Sequence, residues 1–448
     1  MPRPTCLLLP PLALALVASA LVTPAAASTP EPPPEVDYVV DEAGLPFEAL
    51  PGATATWGVL DDAGYRIETP ASWNGDLLVW AHGFRGTGPA LTVDSPPDGL
   101  REKLISEGYA WAASSYDANG YDVPSGVRST QELVDFFDAT VGVPERRYLA
   151  GVSMGGHVTG VSIEEFPDTW AGAMPVCGVM GDRRLFDTFL DYNVAAQALT
   201  GTPPVYPAPA DYVTTTAAAA KAGLGTPYPT ALTPAGEQLA ALTEQRTGGD
   251  RPLFEAGFAA FADFLFTVYP VDPGQGEEVG PVGGNADTVY QLDADPAVSP
   301  AEEQLNADVL RVQAAPAPDG LAGVPEIDGT FGVPVLTMHD LGDLFVPFSM
   351  EQDYARDAVL NGNRDLLVQR AIRGVEHCDF SGAEYQQAFG DLVTWVESGV
   401  RPEGDDVLDP AAVADPAYGC RFSDRAAFDA AGPVTQTSTR RLFAPCPS

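Results

Sequence analysis

Tyr148-Leu149-Ala150-Gly151-Val152-Ser153-Met154-Gly155-Gly156-His157 is the stretch on which the reading of this chain turns. It contains a G-x-S-x-G pentapeptide, Gly151 to Gly155. Before it, Arg147 to Val152 reads as a strand; after it, Gly155 to Phe166 reads as a helix stopped by Pro167. A sharp strand-to-helix turn pushes one hydroxyl out above a sheet, and the flanking glycines leave room for the tight backbone because they carry no Cβ. The helix that starts at once points the positive end of its dipole at any negative charge forming near Ser153. Short Gly/Ser patterns recur by chance, so the motif's weight depends on whether the rest of the chain supplies partners in the right places.

Outward from this stretch, strands and helices alternate. Thr56 to Leu60 and Tyr65 to Glu68 read as a hairpin joined by Asp61-Asp62-Ala63-Gly64. Asp76 to Ala81 is a continuous apolar strand, consistent with burial on both faces. A helix over Asp98 to Glu107, a strand over Tyr109 to Tyr116 and a helix over Val127 to Val141 follow, and Ala171 to Val179 reads as a further strand. The alternation argues for an α/β fold, a mostly parallel sheet flanked by helices. From Arg183 to about Gly323 the chain turns Ala-rich, Pro-punctuated and mostly helical, with Asp187 to Leu199 and Pro234 to Gln245 as clear helices and Gly274 to Gly284 as a loop. Then come strands over Pro334 to His339 and Leu366 to Ile372 and helices over Ser349 to Val359 and Ala383 to Glu397. The expected plan is a signal peptide (1–27), a disordered leader (28–53), the first half of the core (54–182), a helical cap insertion (183–325), the second half of the core (326–400) and a disulfide-stapled tail (401–448). At roughly 140 residues the insertion exceeds an ordinary connecting loop.

Arg3, the apolar Leu7 to Val22 and the small residues Ala25-Ala26-Ala27 form a secretory signal with cleavage expected near Ala27. An uncleaved membrane anchor fits less well, because the apolar run is short and broken by Pro10 and Pro11. The formal net charge of −39, from 62 acids and 23 bases, repels phosphate backbones and anionic lipids and argues against nucleic-acid or membrane partners. Once Cys6 leaves with the signal, Cys177, Cys378, Cys420 and Cys446 remain, an even number suited to two disulfides with three pairings open. No C-x-x-C pair exists, so no zinc site is indicated, and no cofactor is called for.

Four histidines limit the choice of a base: His82, His157, His339 and His377. His157 falls in the helix after Ser153, expected against the sheet, and His339 lies on a strand. His377 follows the last strand, in Arg373-Gly374-Val375-Glu376-His377-Cys378. A carboxylate to orient it is expected after the preceding strand. Asp343, in D-x-x-V-P, is the stronger candidate, and Asp340 reads as turn capping. At the end of an early strand, His82-Gly83-Phe84 is placed to offer a backbone N–H to an oxyanion, as is Met154, with His82 itself structural. The order Ser153, Asp343, His377 suggests a nucleophile, an orienting acid and a general base. Tyr116, Asn119 and Tyr121, after another strand, are candidate substrate contacts or turn residues. The insertion's Phe254, Phe258, Phe261, Phe264, Phe266 and Tyr269 either line an apolar pocket or form the cap's own core, the second being favoured.

These motifs together resemble the α/β-hydrolase superfamily over about residues 54–180 and 326–400. His377-Cys378-Asp379-Phe380, with Glu384 and Trp395 after it, is similar to secreted esterases related to tannase and feruloyl esterases. The resemblance implies a secreted serine esterase acting on a small or medium ester. In that group a cysteine precedes the nucleophile and pairs with the one after the histidine; here Val152 takes that place, and Cys177 is the expected substitute partner of Cys378, leaving Cys420 to Cys446. Two other readings stay open: a capped serine peptidase resembling aminopeptidases, and a non-catalytic hydrolase-like binding protein, although no triad member is missing.

Overall fold

Leu60 and Ala63 pair across a two-residue turn, and both turn residues, Asp61 and Asp62, sit at positive φ (45° and 68°). That is the turn chemistry that matches the twist of a tight hairpin, and it starts the sheet. The computed structural model describes residues 36–97, 99–269, 282–314, 323–429, 439–443 and 446–447. The signal peptide lies outside the described residues, as does most of the Gly274–Gly284 loop. In chain order the strands are β1 (Val39–Val40), β2 (Ala53–Leu60), β3 (Ala63–Pro70), β4 (Asp76–Ala81), β5 (Ala90–Leu91), β6 (Ala110–Ser114), β7 (Arg146–Val152), β8 (Gly172–Val176), β9 (Val335–Asp340) and β10 (Leu367–Ile372).

Eight of them form one sheet in the order β10-β9-β8-β7-β4-β6-β3-β2. Only β3 runs against the rest, pairing antiparallel with both β2 and β6. β4, β6, β7, β8, β9 and β10 are parallel. The chain has the α/β-hydrolase fold. All side chains of β4, β9 and β10 are buried, as expected of strands covered on both faces. From β4 the chain proceeds to β6 on one side and then to β7 on the other, so the strand order reverses between β4 and β7. Ligands of open α/β sheets bind at such a switch point, outside the carboxyl ends of the strands.

The covering helices are α1 (Leu100–Ser106), α2 (Val123–Thr140), α3 (Met154–Glu165), α9 (Ser349–Leu360) and α10 (Gly382–Ser398); the insertion contributes α4 (Arg184–Thr200), α5 (Thr216–Leu224), α6 (Pro234–Arg246), α7 (Phe254–Phe261) and α8 (Pro300–Asp308). Helix α2 begins at Val123, before the Val127 expected, because Asp122 accepts a hydrogen bond from Ser125 N–H and a proline follows in the first turn. The insertion has its own apolar core, which takes in Phe254, Phe258, Phe261, Phe266 and Tyr269. It is nonetheless fastened to the sheet. Arg251, buried, donates to the Leu341 carbonyl at 2.8 Å, and α7 packs so closely there that a Cβ on Gly257 would lie 2.1 Å from the Gly342 carbonyl oxygen.

One expectation needs correction. Residues 36–53 are not a disordered leader. Val39 and Val40 pair with Ala90 and Leu91, Leu45 is buried, and the carbonyls of Gly44 and Leu45 accept hydrogen bonds from Arg66. The proline-rich look of the preceding residues concealed a segment anchored by strand pairing and two cations, Arg66 and Arg101, the second donating to the Glu48 carbonyl at 2.8 Å. The tail follows the open edge of β10: Asp405 N–H donates to Gln369 O at 2.7 Å, and its carboxylate accepts from Ala371 N–H at 2.9 Å. An exposed strand edge is thereby covered.

Candidate active site

Ser153 links β7 to α3 at φ 57° and ψ −122°, a conformation that ordinary residues avoid. The turn is possible because its neighbours are glycine: a Cβ on Gly151 would lie 2.1 Å from the Gly155 carbonyl oxygen, and one on Gly155 would lie 2.2 Å from that of Ala81. Met154 is the first residue of α3, so its N–H has no acceptor within the helix. The loop after β4 lies against the serine; a Cβ on Gly83 would be 3.0 Å from Ser153 Cβ and 3.6 Å from its Oγ. The loop at Gly83 thus lies beside the Ser153 hydroxyl, and the Phe84 side chain is exposed.

His377 stands in the loop after β10, and its Nε2 is 2.8 Å from Ser153 Oγ. Its Nδ1 is 2.5 Å from Asp343 Oδ2. The other carboxylate oxygen of Asp343 accepts from the N–H groups of Phe345 (2.8 Å) and Val346 (3.1 Å), which fixes the carboxylate plane. Asp343 is fully buried and His377 half-buried. Asp340 lies apart from this line: Oδ2 accepts from Asp379 N–H at 2.8 Å, and burial pushes its carboxyl well above the usual carboxylate range despite the nearby Arg440.

The other histidines have structural partners. His82 stacks on Tyr116 at 3.9 Å, and its ring nitrogens face the carbonyls of Gly83 and Ser115 at 2.7 and 3.0 Å. Burial, with Arg85 nearby, lowers its pKa to about 4, so the neutral ring donates to one of them at a time. His157 does not face the sheet alone. Its Nε2 is 2.7 Å from the Pro325 carbonyl and its Nδ1 is 2.9 Å from the Tyr121 hydroxyl, and burial lowers its pKa to about 4. His339 places Nε2 2.7 Å from the Val346 carbonyl. Burial opposes its charge, but Glu351, 3.4 Å away, outweighs it and raises the pKa above the ordinary histidine value.

The tyrosines expected to touch substrate have other neighbours. Tyr116 is 1 % exposed and donates its hydroxyl to the His82 carbonyl at 3.0 Å, so it supports the loop from behind rather than facing a ligand. Tyr121 is half-buried between the insertion's apolar core and the one that α2 and α3 form on the sheet, its hydroxyl bound to His157 and its ring against Phe186 at 5.1 Å. Asn119 donates to the carbonyls of Gly88 and Ala90 and serves the turn.

Sequence reasoning missed Phe345, which lies inside the D-x-x-V-P motif. Its ring meets His377 edge-on at 5.1 Å, with Phe264 of the insertion at 4.9 Å and Phe189 of α4 at 6.0 Å. Phe264 sits at the rim of the aromatic cluster expected around it: half-buried, it meets Phe261 at 6.2 Å on one side and Phe345 on the other. Cys177 at the end of β8 is bonded to Cys378, and Cys420 to Cys446. The sulfurs of Cys177 and Cys378 lie within 4.8 Å of a His377 ring nitrogen, but as a disulfide they offer no thiolate to a metal. No helix among the described residues is long and apolar enough to cross a membrane.

No family model matches the chain. Among curated proteins it is similar to an o-phthalyl amidase from Xanthobacter agilis, 23 % identical over 437 residues that span 81 % of this chain and 92 % of the amidase. Among solved structures it is similar to feruloyl esterase B from Aspergillus oryzae, with TM-score 0.44 and 16 % identity, covering 78 % of this chain and 80 % of that one. It is also similar to Est1E from Butyrivibrio proteoclasticus, with TM-score 0.37 and 13 % identity, covering 77 % of this chain and 99 % of that one.

Proposed function

We propose that this chain is a secreted serine hydrolase that cleaves carboxylic esters through an acyl-enzyme on Ser153. The observation that carries the reading is the unbroken line from Ser153 Oγ through His377 to Asp343, at 2.8 and 2.5 Å, in the crevice where the strand order reverses. His377 Nε2 takes the hydroxyl proton as Ser153 Oγ attacks the acyl carbonyl. The N–H groups of Met154 and Phe84 receive the negative charge on the carbonyl oxygen, each such donor being worth about 3–4 kcal/mol of barrier. His377 then returns the proton to the leaving alcohol, and a water molecule repeats the sequence to free the acid. Asp343 holds Nδ1–H and stabilises the imidazolium. Two disulfides support an oxidising compartment.

A second reading, cleavage of an amide bond, draws on the likeness to the o-phthalyl amidase. The same groups perform it, except that the leaving nitrogen must be protonated before it departs. A panel of p-nitrophenyl acyl esters and acyl or aminoacyl nitroanilides, with S153A as control, separates the two. Ester turnover at least tenfold above anilide turnover is expected (on the order of one to three kcal/mol of discrimination,). Full turnover by S153A would defeat both.

A further inference from the structure

Behind the His377 loop lies a buried cluster of charges that the proposed chemistry does not use. Asp340 ends β9, on the strand leading to Asp343, and Asp379 follows the His377-Cys378 pair. Glu384 lies in the first turn of α10, where its Oε2 accepts from Ser381 N–H at 2.8 Å. Into this acidic cluster the tail inserts Arg440, which is 0 % exposed. Its Nη1 donates to Glu384 Oε1 at 2.5 Å, its Nη2 donates to the Asp379 carbonyl, and Nη2 is 3.9 Å from Asp340 Oδ1. Thr439 N–H adds a bond to the Asp379 carboxylate at 3.2 Å, and Asp379 N–H reaches Asp340 at 2.8 Å. Glu384 Oε1 also accepts from Asp424 N–H at 2.7 Å, so an earlier part of the tail meets the same carboxylate as Arg440.

One guanidinium therefore touches residues that flank both His377 and Asp343. The loop carrying His377 is held twice: covalently at Cys378 by Cys177, and at the next residue by Arg440. The segment that carries Arg440 is itself closed back on an earlier part of the tail by Cys420–Cys446. A lysine could not reproduce the arrangement, because one ammonium replaces a planar fork that reaches two acceptors on different elements. Removing the cation would take away one charged donor that Glu384 and the Asp379 carbonyl share in a buried site.

We infer that Arg440 is a positioning residue for the proposed triad, and that the tail is a part of the active site that sets the distance between His377 and Asp343. The inference rests on the reading of His377 and Asp343 as base and orienting acid. Its test includes one measurement independent of turnover.

Wild type, R440Q, R440K and C420S/C446S are compared for kcat and KM on a p-nitrophenyl ester and for the low-field proton resonance of the His377–Asp343 hydrogen bond. R440Q is expected to lose on the order of 10–100-fold in kcat, the scale of a misplacement of about 1 Å, with KM changed by less than about twofold. Its low-field resonance is expected to shift or vanish, while the ring resonances of His82 and His157 stay in place. R440K should fall between wild type and R440Q, and C420S/C446S should lower kcat in the same direction. A kcat within about twofold of wild type in R440Q, or an unchanged low-field resonance, would overturn the inference. If R440Q does not fold, C420S/C446S decides, and unchanged kcat and resonance there overturn it. Should S153A prove fully active, the proposed chemistry fails, yet the resonance measured in an S153A background still reports whether Arg440 sets the His377–Asp343 pair.

Discussion

Phe345 stands between two parts of the molecule: its ring meets His377 at 5.1 Å on one side and Phe264 of the insertion at 4.9 Å on another. An aromatic side chain of the insertion thus lies one ring away from the proposed base. Truncating it should alter which acyl groups are accepted more than it alters the fold. F264A is expected to raise KM for a benzoyl ester by roughly tenfold, the scale of a lost apolar contact of 1–3 kcal/mol, and to leave an acetyl ester nearly unchanged. Steady-state kinetics on the two esters check this, and equal effects on both would remove Phe264 from the substrate pocket.

Asp343 and Asp340 make opposite predictions. D343N should lower kcat by about four orders of magnitude, because an amide fixes the wrong imidazole tautomer while keeping the shape. D340N should stay within about tenfold of wild type, because Asp340 lies off the line from Ser153 to Asp343 and an amide oxygen there can still accept from Asp379 N–H. The two variants are compared on one ester under saturating conditions. The reverse pattern would exchange the two assignments.

The Cys177–Cys378 bridge closes a long loop, with a sequence separation of 201. C177S/C378S should lower stability by about 2–4 kcal/mol, read as a lower denaturation midpoint in urea. Activity should fall further than stability alone explains, since the bridge ends beside His377. Retained kcat at a temperature where the variant is fully folded would reduce the bridge to a staple.

His157 predicts a pH effect with a fixed sign. Its folded pKa is depressed to about 4 by burial, below the ordinary 6.5, so the folded state binds fewer protons than the unfolded chain between those values. The stabilisation it provides is complete above 6.5 and is lost as pH falls through 4, at up to about 1.4 kcal/mol per pH unit. H157Q, which removes the titration, should flatten the acid side of the stability profile relative to wild type. Denaturant midpoints taken between pH 4 and 7 measure the difference in slope.

Much of the frame was readable because strand, turn and helix signals agreed locally. Leu77 to Ala81 of β4 and Leu149 to Gly151 of β7 are buried runs without a charge, and the glycines around Ser153 admit no side chain. The residues proposed for chemistry each follow a strand of one sheet, so chain order alone brought them to one edge. What escaped notice depends on contacts between distant segments. Nothing near Arg251 or Arg440 in the sequence announces a buried cation, since Arg251 reaches the Leu341 carbonyl 90 residues away and Arg440 the Asp379 carbonyl 61 residues away. Tyr116 looked like a free aromatic because its acceptor, the His82 carbonyl, belongs to another strand end. Residues 36–53 looked structureless because a two-residue strand and contacts from two distant arginines leave almost no periodic trace.

The close seat of Gly257 on Gly342 sets a limit on engineering this chain. Exchanging the insertion for one from another hydrolase would remove the surface on which the Asp343 turn rests, along with Arg251. A chimera built at the obvious junctions would inherit a misplaced acid, whereas one that keeps residues 247–261 would retain its support. Diversity in substrate choice is therefore best sought at Phe189 and Phe264, whose rings border Phe345 and which lie outside that stretch.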